Sequence, residues 1–190
     1  MQFRADALDV ILHQPLDYLH PHRGCIPRVL DTPAVRPVLN QILLRTLALS
    51  CPAPVLIKNS GWINLWIKHW FLLPQVAKLM GAQLMWPHLA RGSRMRQLDA
   101  SVRAFARVDL GPRANCEPLK NDGLDESLLA LGLGALMAWE PELPPALTQR
   151  LQLQFTAQVV ALQQSLRPQA PNASLFLMAV QHARIHQNRG

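Results

Sequence analysis

The side chains best suited to chemistry lie near the N-terminus, where His20-Pro21-His22-Arg23-Gly24-Cys25 puts two imidazoles and a thiol within six positions. Nitrogen and sulfur ligands of this kind suit zinc, which makes His20, His22 and Cys25 candidate metal ligands. No fourth ligand stands nearby and Pro21 restricts how the rings converge, so the competing reading is a structural loop with locally bonded histidines. His182 and His186 stand one turn apart on a helical pattern and could chelate, yet positive charge near a helix C-terminus is favoured on its own account. Asp125-Glu126 reads as first-turn acid facing a helix dipole. Gly132-Leu133-Gly134 lacks the third glycine of a phosphate loop and reads as helix packing. Cys51 and Cys116 have no activating base in the sequence. No GxSxG, HExxH, CxxC or paired-carboxylate motif occurs, so neither a catalytic centre nor a cofactor is expected.

Binding is the alternative to catalysis, and charge is its first indicator. The net charge of +7 suits nucleic acid, anionic lipid or an acidic protein. Its distribution is uneven. Arg91, Arg94, Arg96, Arg103, Arg107 and Arg113 stand against Asp99 and Asp109 alone, the following stretch to Glu142 is acidic, and from Thr148 onward there are arginines and no acid. Basic, acidic and basic segments in turn are unlike a continuous phosphate-tracking surface. Phe105, the one aromatic among the arginines, falls on the apolar stripe rather than between them as base stacking requires. A basic helical nucleic-acid-binding regulator is therefore the alternative, and docking of an acidic protein surface by Arg91, Arg94, Arg96, Arg103 and Arg107 the leading expectation.

The elements that must carry these residues are helical. No run alternates with period two and no turn dipeptide separates two apolar runs, so the fold class is all-α: a compact bundle of seven or eight helices with proline-rich breaks. With 190 residues and 49% hydrophobic content the chain reads as a single helical domain, with a looser C-terminal subdomain from residue 146 as a variant. Sixteen prolines punctuate it. Helices are expected at 5–13, from Asp31-Thr32-Pro33 to Ser50, at 61–73 capped by Asn59-Ser60, and at 75–84 closing near Gly81, with Pro74 turning one into the next and Trp86-Pro87 a further break. A basic helix follows at 93–108, then a loop at 111–121, a helix from Asp122 or Gly123 to Trp139, a long one at 147–166 and a last one at 173–186. No stretch approaches the length of a membrane span, the N-terminus does not read as a signal peptide, and three scattered cysteines fit a reducing cytosol, so a soluble cytosolic chain is expected.

The helix at 61–73 is apolar on nearly all sides, with Trp62, Trp66 and Trp70 at every fourth residue. Such a helix belongs in a core, although Trp is also enriched at interface hot spots.

One set of residues carries a resemblance. Pro15-Leu16-Asp17-Tyr18-Leu19-His20-Pro21-His22-Arg23 resembles the DPxxYxHPxR opening of the OrgA/MxiK family of type III secretion proteins, with Gln14 in place of the family's Asp. Asn59-Ser60, Leu65-Trp66 and Trp70 continue the pattern, and the run from Leu73-Pro74-Gln75 to Gly81 is similar to the family's LPQVAxLxG. Leu89-Ala90-Arg91 follows in register, and a looser likeness returns at 179–183. The motif residues so assigned are Pro15, Tyr18, His20, Pro21, Arg23, Trp66, Trp70, Pro74 and Gln75. The resemblance implies a helical, non-enzymatic adaptor of the injectisome sorting platform, in the family also called YscK or SctK. Such adaptors are cytosolic and peripheral to the inner membrane, without inserting into it. They link the cytoplasmic domain of the inner-membrane ring protein to the platform's pod protein.

Overall fold

The computed structural model describes residues 2–53, 57, 60–91, 93–108, 110 and 123–187. Among them every regular element is helical and no strand occurs. The chain forms two compact units, one of Met1–Phe71 with Glu140–Thr156, the other of Leu72–Trp139 with Ala157–Gly190.

In the first unit α1 (Gln2–His13) packs on α3 (Gly61–Lys68) and on α8 (Pro145–Leu151). Leu8, Ile11 and Leu12, at helical spacing, are all but fully buried, each burial contributing about 1.5–3 kcal/mol. Ser60 caps α3, its hydroxyl accepting from Ile63 N at 3.2 Å. Trp66 and Trp70 are completely buried while Trp62 is only partly so, and Lys68 reaches solvent. The core reading of this helix therefore holds for two of its three tryptophans.

The second helix departs from expectation. Residues 32–35 form a turn and α2 spans Arg36–Thr46, because Pro37, rather than Pro33, occupies its first turn, where a missing N–H costs nothing. The helix ends in a Schellman arrangement: Ala48 N donates to Arg45 O and Leu49 N to Leu44 O, with Ala48 at φ 48°.

In the second unit α4 (Leu73–Leu84) lies against α7 (Leu124–Met137), α6 (Ala100–Ala106) and α10 (Ala173–Gln187), and α7 also against α9 (Ala157–Ser165). The helix expected to run to Leu73 ends at Lys68, a 3-10 turn follows at Trp70–Leu72, and α4 opens at Leu73 with Pro74 in its first turn, so the break falls ahead of Pro74 rather than at it. Gly81 does not close the helix. A Cβ on it would lie 1.9 Å from Leu128 O, and one on Gly132 would lie 1.8 Å from Ala77 O. Two glycines, one on each helix, thus let the α4 and α7 backbones touch, and this is the packing role read for Gly132. Met85 makes the break after α4, and Trp86–Leu89 is a short helix, α5, with Pro87 in its first turn.

Two predicted helices are split. The basic one becomes a 3-10 turn at Arg94–Gln97 and then α6, because Leu98 is extended and Asp99 takes the N-cap backbone while its carboxylate reaches Lys78 Nζ at 3.3 Å. Lys78 also meets Asp125 at 3.1 Å. Burial lowers its pKa, but Asp125 and Asp99 outweigh that and raise it overall. The helix at 147–166 is interrupted by a 3-10 turn at Gln152–Gln154 and an extended Phe155, dividing it into α8 and α9. The division between units falls here too, at Thr156. The division of α8 from α9, together with the short α5, brings the α-helices to ten among the described residues. Asn172 caps α10, its Oδ1 accepting from Leu175 N at 2.9 Å. The start of α7 agrees at Gly123, while Asp122 and the loop at 111–121 lie outside the described residues.

Candidate protein-docking site

Five arginines make up the predicted docking face, and all five belong to the second unit. Arg91 follows α5, Arg94 and Arg96 sit on the 3-10 turn, and Arg103 and Arg107 stand one turn apart at the end of α6. Arg103 is half-buried and the other four are exposed. Arg107 closes α6, where the negative end of the helix dipole favours a cation. Of the apolar stripe expected of this segment, Met95, Leu98, Val102, Phe105 and Ala106, all are buried except Met95, which is half-buried. Among the described residues none of the five makes an ion pair, and Asp99, the described acid nearest to them in the chain, is turned to Lys78. Among the described residues these guanidinium groups are uncompensated, and cations so placed give a positive potential that carboxylates on another macromolecule can meet.

The family-motif residues have a different task. In the first unit, Pro15 and Pro21 open 3-10 turns at Pro15–Asp17 and Pro21–Arg23. These turns deliver a set of donors to carbonyls that helices leave unpaired. Tyr18 OH donates to Ile11 O in the last turn of α1 at 2.7 Å, and the Tyr18 ring meets Trp70 edge-on with centroids 5.6 Å apart. Burial raises the Tyr18 pKa, Arg150 only partly opposing it, so the phenol stays protonated as a donor. His20 N donates to Leu153 O at 2.9 Å, and Arg23 Nε donates to Phe155 O. Those two carbonyls lie in the interruption between α8 and α9, which is therefore bound by the N-terminal motif. This is the physical reason the long helix does not form.

At the centre of this clasp is Arg150, wholly buried and not anticipated. Its Nη2 donates to Leu12 O at 2.8 Å and approaches Cys51 Sγ at 3.2 Å; its Nη1 donates to Ser50 O at 2.7 Å and Ala146 O at 3.0 Å. No carboxylate pairs with it among the described residues. The cation is held by carbonyl dipoles and by the C-terminal end of α1. One signal in the sequence could have found it: Leu147, Arg150 and Leu151 share one helical face, so an arginine stands inside an apolar stripe.

The candidate metal ligands do not converge. His20 Nδ1 accepts from His22 N at 3.2 Å, the two rings lie 5.1 Å apart between centroids, and Cys25 is exposed. His20 is held below its ordinary pKa by burial, then by His22 and Arg23. Among the described residues no three His, Cys, Asp or Glu side chains could hold a metal ion together. His182 and His186 stack at 4.4 Å, with His182 Nε2 bonded to Ser101 O at 3.0 Å. Pro74 and Gln75 lie in the first turn of α4, where Pro74 sets the helix start. Among the described residues no helix is long and apolar enough to cross a membrane.

Comparison with known proteins matches residues 8–185 to the family model of a bacterial type III secretion apparatus protein, OrgA_MxiK. The chain is also 32% identical over 180 residues to the oxygen-regulated invasion protein OrgA of Salmonella typhimurium strains SL1344 and LT2, covering 94% of this chain and 87% of the relative. No solved structure matches it. The motif positions that build the clasp and the span of the match lead to one assignment: the chain belongs to the OrgA_MxiK family of bacterial type III secretion apparatus proteins.

Proposed function

We propose that the protein is a non-enzymatic adaptor of the cytosolic sorting platform, linking the cytoplasmic domain of the inner-membrane ring protein to the platform's pod protein. Family membership supplies the apparatus, and the observation that carries the adaptor reading is the unpaired arginine face on the second unit. A protein whose motif residues are spent on internal bonds and whose unpaired cations point outward is built to be held between partners. The face docks an acidic surface, with charge setting register and association rate more than affinity. The protein works at the cytosolic side of the inner membrane through its partners, without inserting into the bilayer.

The test is Arg94→Glu with Arg103→Glu in the full-length chain. Pull-down of the ring or the pod protein is expected to fall about tenfold or more and to weaken with salt in the parent protein. Unchanged capture of both partners would remove the arginine face from the account.

A further inference from the structure

The helix α2 keeps two aliphatic side chains, Val38 and Ile42, on its solvent side. On an α-helix Arg36, Asn40, Leu43 and Leu44 share one side, and Val38, Gln41, Ile42 and Arg45 the other. An ordinary amphipathic helix would bury the aliphatics. Here the inward side is mixed: Leu43 and Leu44 are half-buried beside Asn40, which is buried with its Oδ1 accepting from Leu16 N at 3.0 Å, and Arg36 bridges Asp17 and Asp31. Those bonds fix the rotation of the helix, and they leave Val38 55% and Ile42 52% exposed. Immediately upstream, the 3-10 turn Arg28–Leu30 leaves Val29 82% exposed. Polar bonds that fix the rotation of the helix with Val38 and Ile42 outward leave those two side chains for something outside the chain.

Charge identifies the occupant. Exposed Arg45 lies beside the aliphatic pair and makes no ion pair among the described residues; Arg28 is exposed as well; and α2 contains no acidic residue. Two copies of this face laid together would oppose aliphatics and arginines with no carboxylate between them. A bilayer surface is also a poor fit, since the outward side offers two aliphatic residues, no aromatic anchor and a single cation. We infer that the outward face of α2, centred on Val38 and Ile42 and edged by Arg45, is a docking surface for an acidic amphipathic helix of another protein. The incoming helix carries aliphatic residues at three- and four-residue spacing to cover Val38 and Ile42, with Asp or Glu beside them to meet Arg45. This surface lies on the first unit and is additional to the arginine face on the second.

The experiment incorporates a benzophenone amino acid in place of Ile42 in the full-length chain, in cells carrying a functional type III secretion apparatus, with the same group at exposed Glu142 as control. After irradiation the cross-linked peptide is sequenced by mass spectrometry. The expected result is one segment of a different protein, with helical aliphatic spacing and flanking carboxylates. Arg45→Glu in the same chain should lower the yield about tenfold, and Val38→Ser similarly, while circular dichroism and Tm stay at the parent values because both side chains already face water. A cross-link to a second copy of this chain, to lipid, or to a segment without acidic residues would overturn the inference. So would a yield no higher than the control, or indifference to Arg45→Glu.

Discussion

Replacing Arg150 with methionine removes the centre of the clasp while keeping most of its volume. The guanidinium is wholly buried and donates to Leu12 O, Ser50 O and Ala146 O at 2.8, 2.7 and 3.0 Å. Ala146 O, four residues back on the same helix, is in position for a backbone bond in any case, so the true orphans created are Leu12 O and Ser50 O. Ser50 is exposed, so water can replace the donor at its carbonyl, and the cost falls mainly on the buried Leu12 O, at about 1–3 kcal/mol. Methionine also relieves the desolvation of a buried cation, which offsets part of that cost. The net loss should be about 1.5 kcal/mol, or a fall in Tm of about 3–6 °C for a chain of this length. Thermal unfolding followed by far-UV circular dichroism reads it directly. Arg150→Lys should fall between the two, since one ammonium cannot reach carbonyls on both sides as the planar fork does. If Arg150→Met melted within about 2 °C of the parent, or above it, the carbonyl clasp would not be what holds α1 to α8.

Three further outcomes follow from local geometry. Gly132→Ala places a Cβ 1.8 Å from Ala77 O, so α4 and α7 must part; urea unfolding should show a loss of about 3 kcal/mol, and a loss under about 1 kcal/mol would mean the helices are not in backbone contact. Ala48→Gly relieves a left-handed residue at the end of α2 and should raise stability by about 0.5 kcal/mol, net of the freedom glycine adds to the unfolded chain; a drop in Tm would contradict the Schellman reading. His182 lies below its ordinary pKa of 6.5, chiefly through burial, with its Ser101 bond opposing and His186 adding to the depression. The unfolded chain therefore takes up that proton first, so its contribution is full above pH 6.5 and is lost as the pH falls below it. Urea midpoints of the parent should decline from pH 7.5 to 5.5 more steeply than those of His182→Gln, and equal slopes would discount this histidine.

The helical class was legible because apolar residues recur at three and four positions throughout, and proline and capping signals placed most helix starts. Pro74, Ser60 and Gly123 each act where their chemistry indicates. What escaped the sequence was decided by contacts between distant residues. Nothing local breaks the chain near Phe155; the interruption exists because His20 and Arg23 take the carbonyls of Leu153 and Phe155. Periodicity found both faces of α2 but could not say which turns inward, since that depends on Asn40 meeting Leu16 and Arg36 meeting Asp17 and Asp31. Arg150 was hidden by its residue type, because arginine is almost never fully buried unless its donors are satisfied. The clustering of the arginines needed no fold to be recognised, since six stand within residues 91–113 against Asp99 and Asp109 alone, although the fold broke their helix in two.

The adaptor account is tested most directly by co-purification. The full-length chain, tagged and expressed in cells that make the neighbouring secretion components, should bring down the inner-membrane ring protein and the pod protein together, in one complex that survives gel filtration. Recovery of the chain alone, or with nucleic acid in place of either protein, would contradict it.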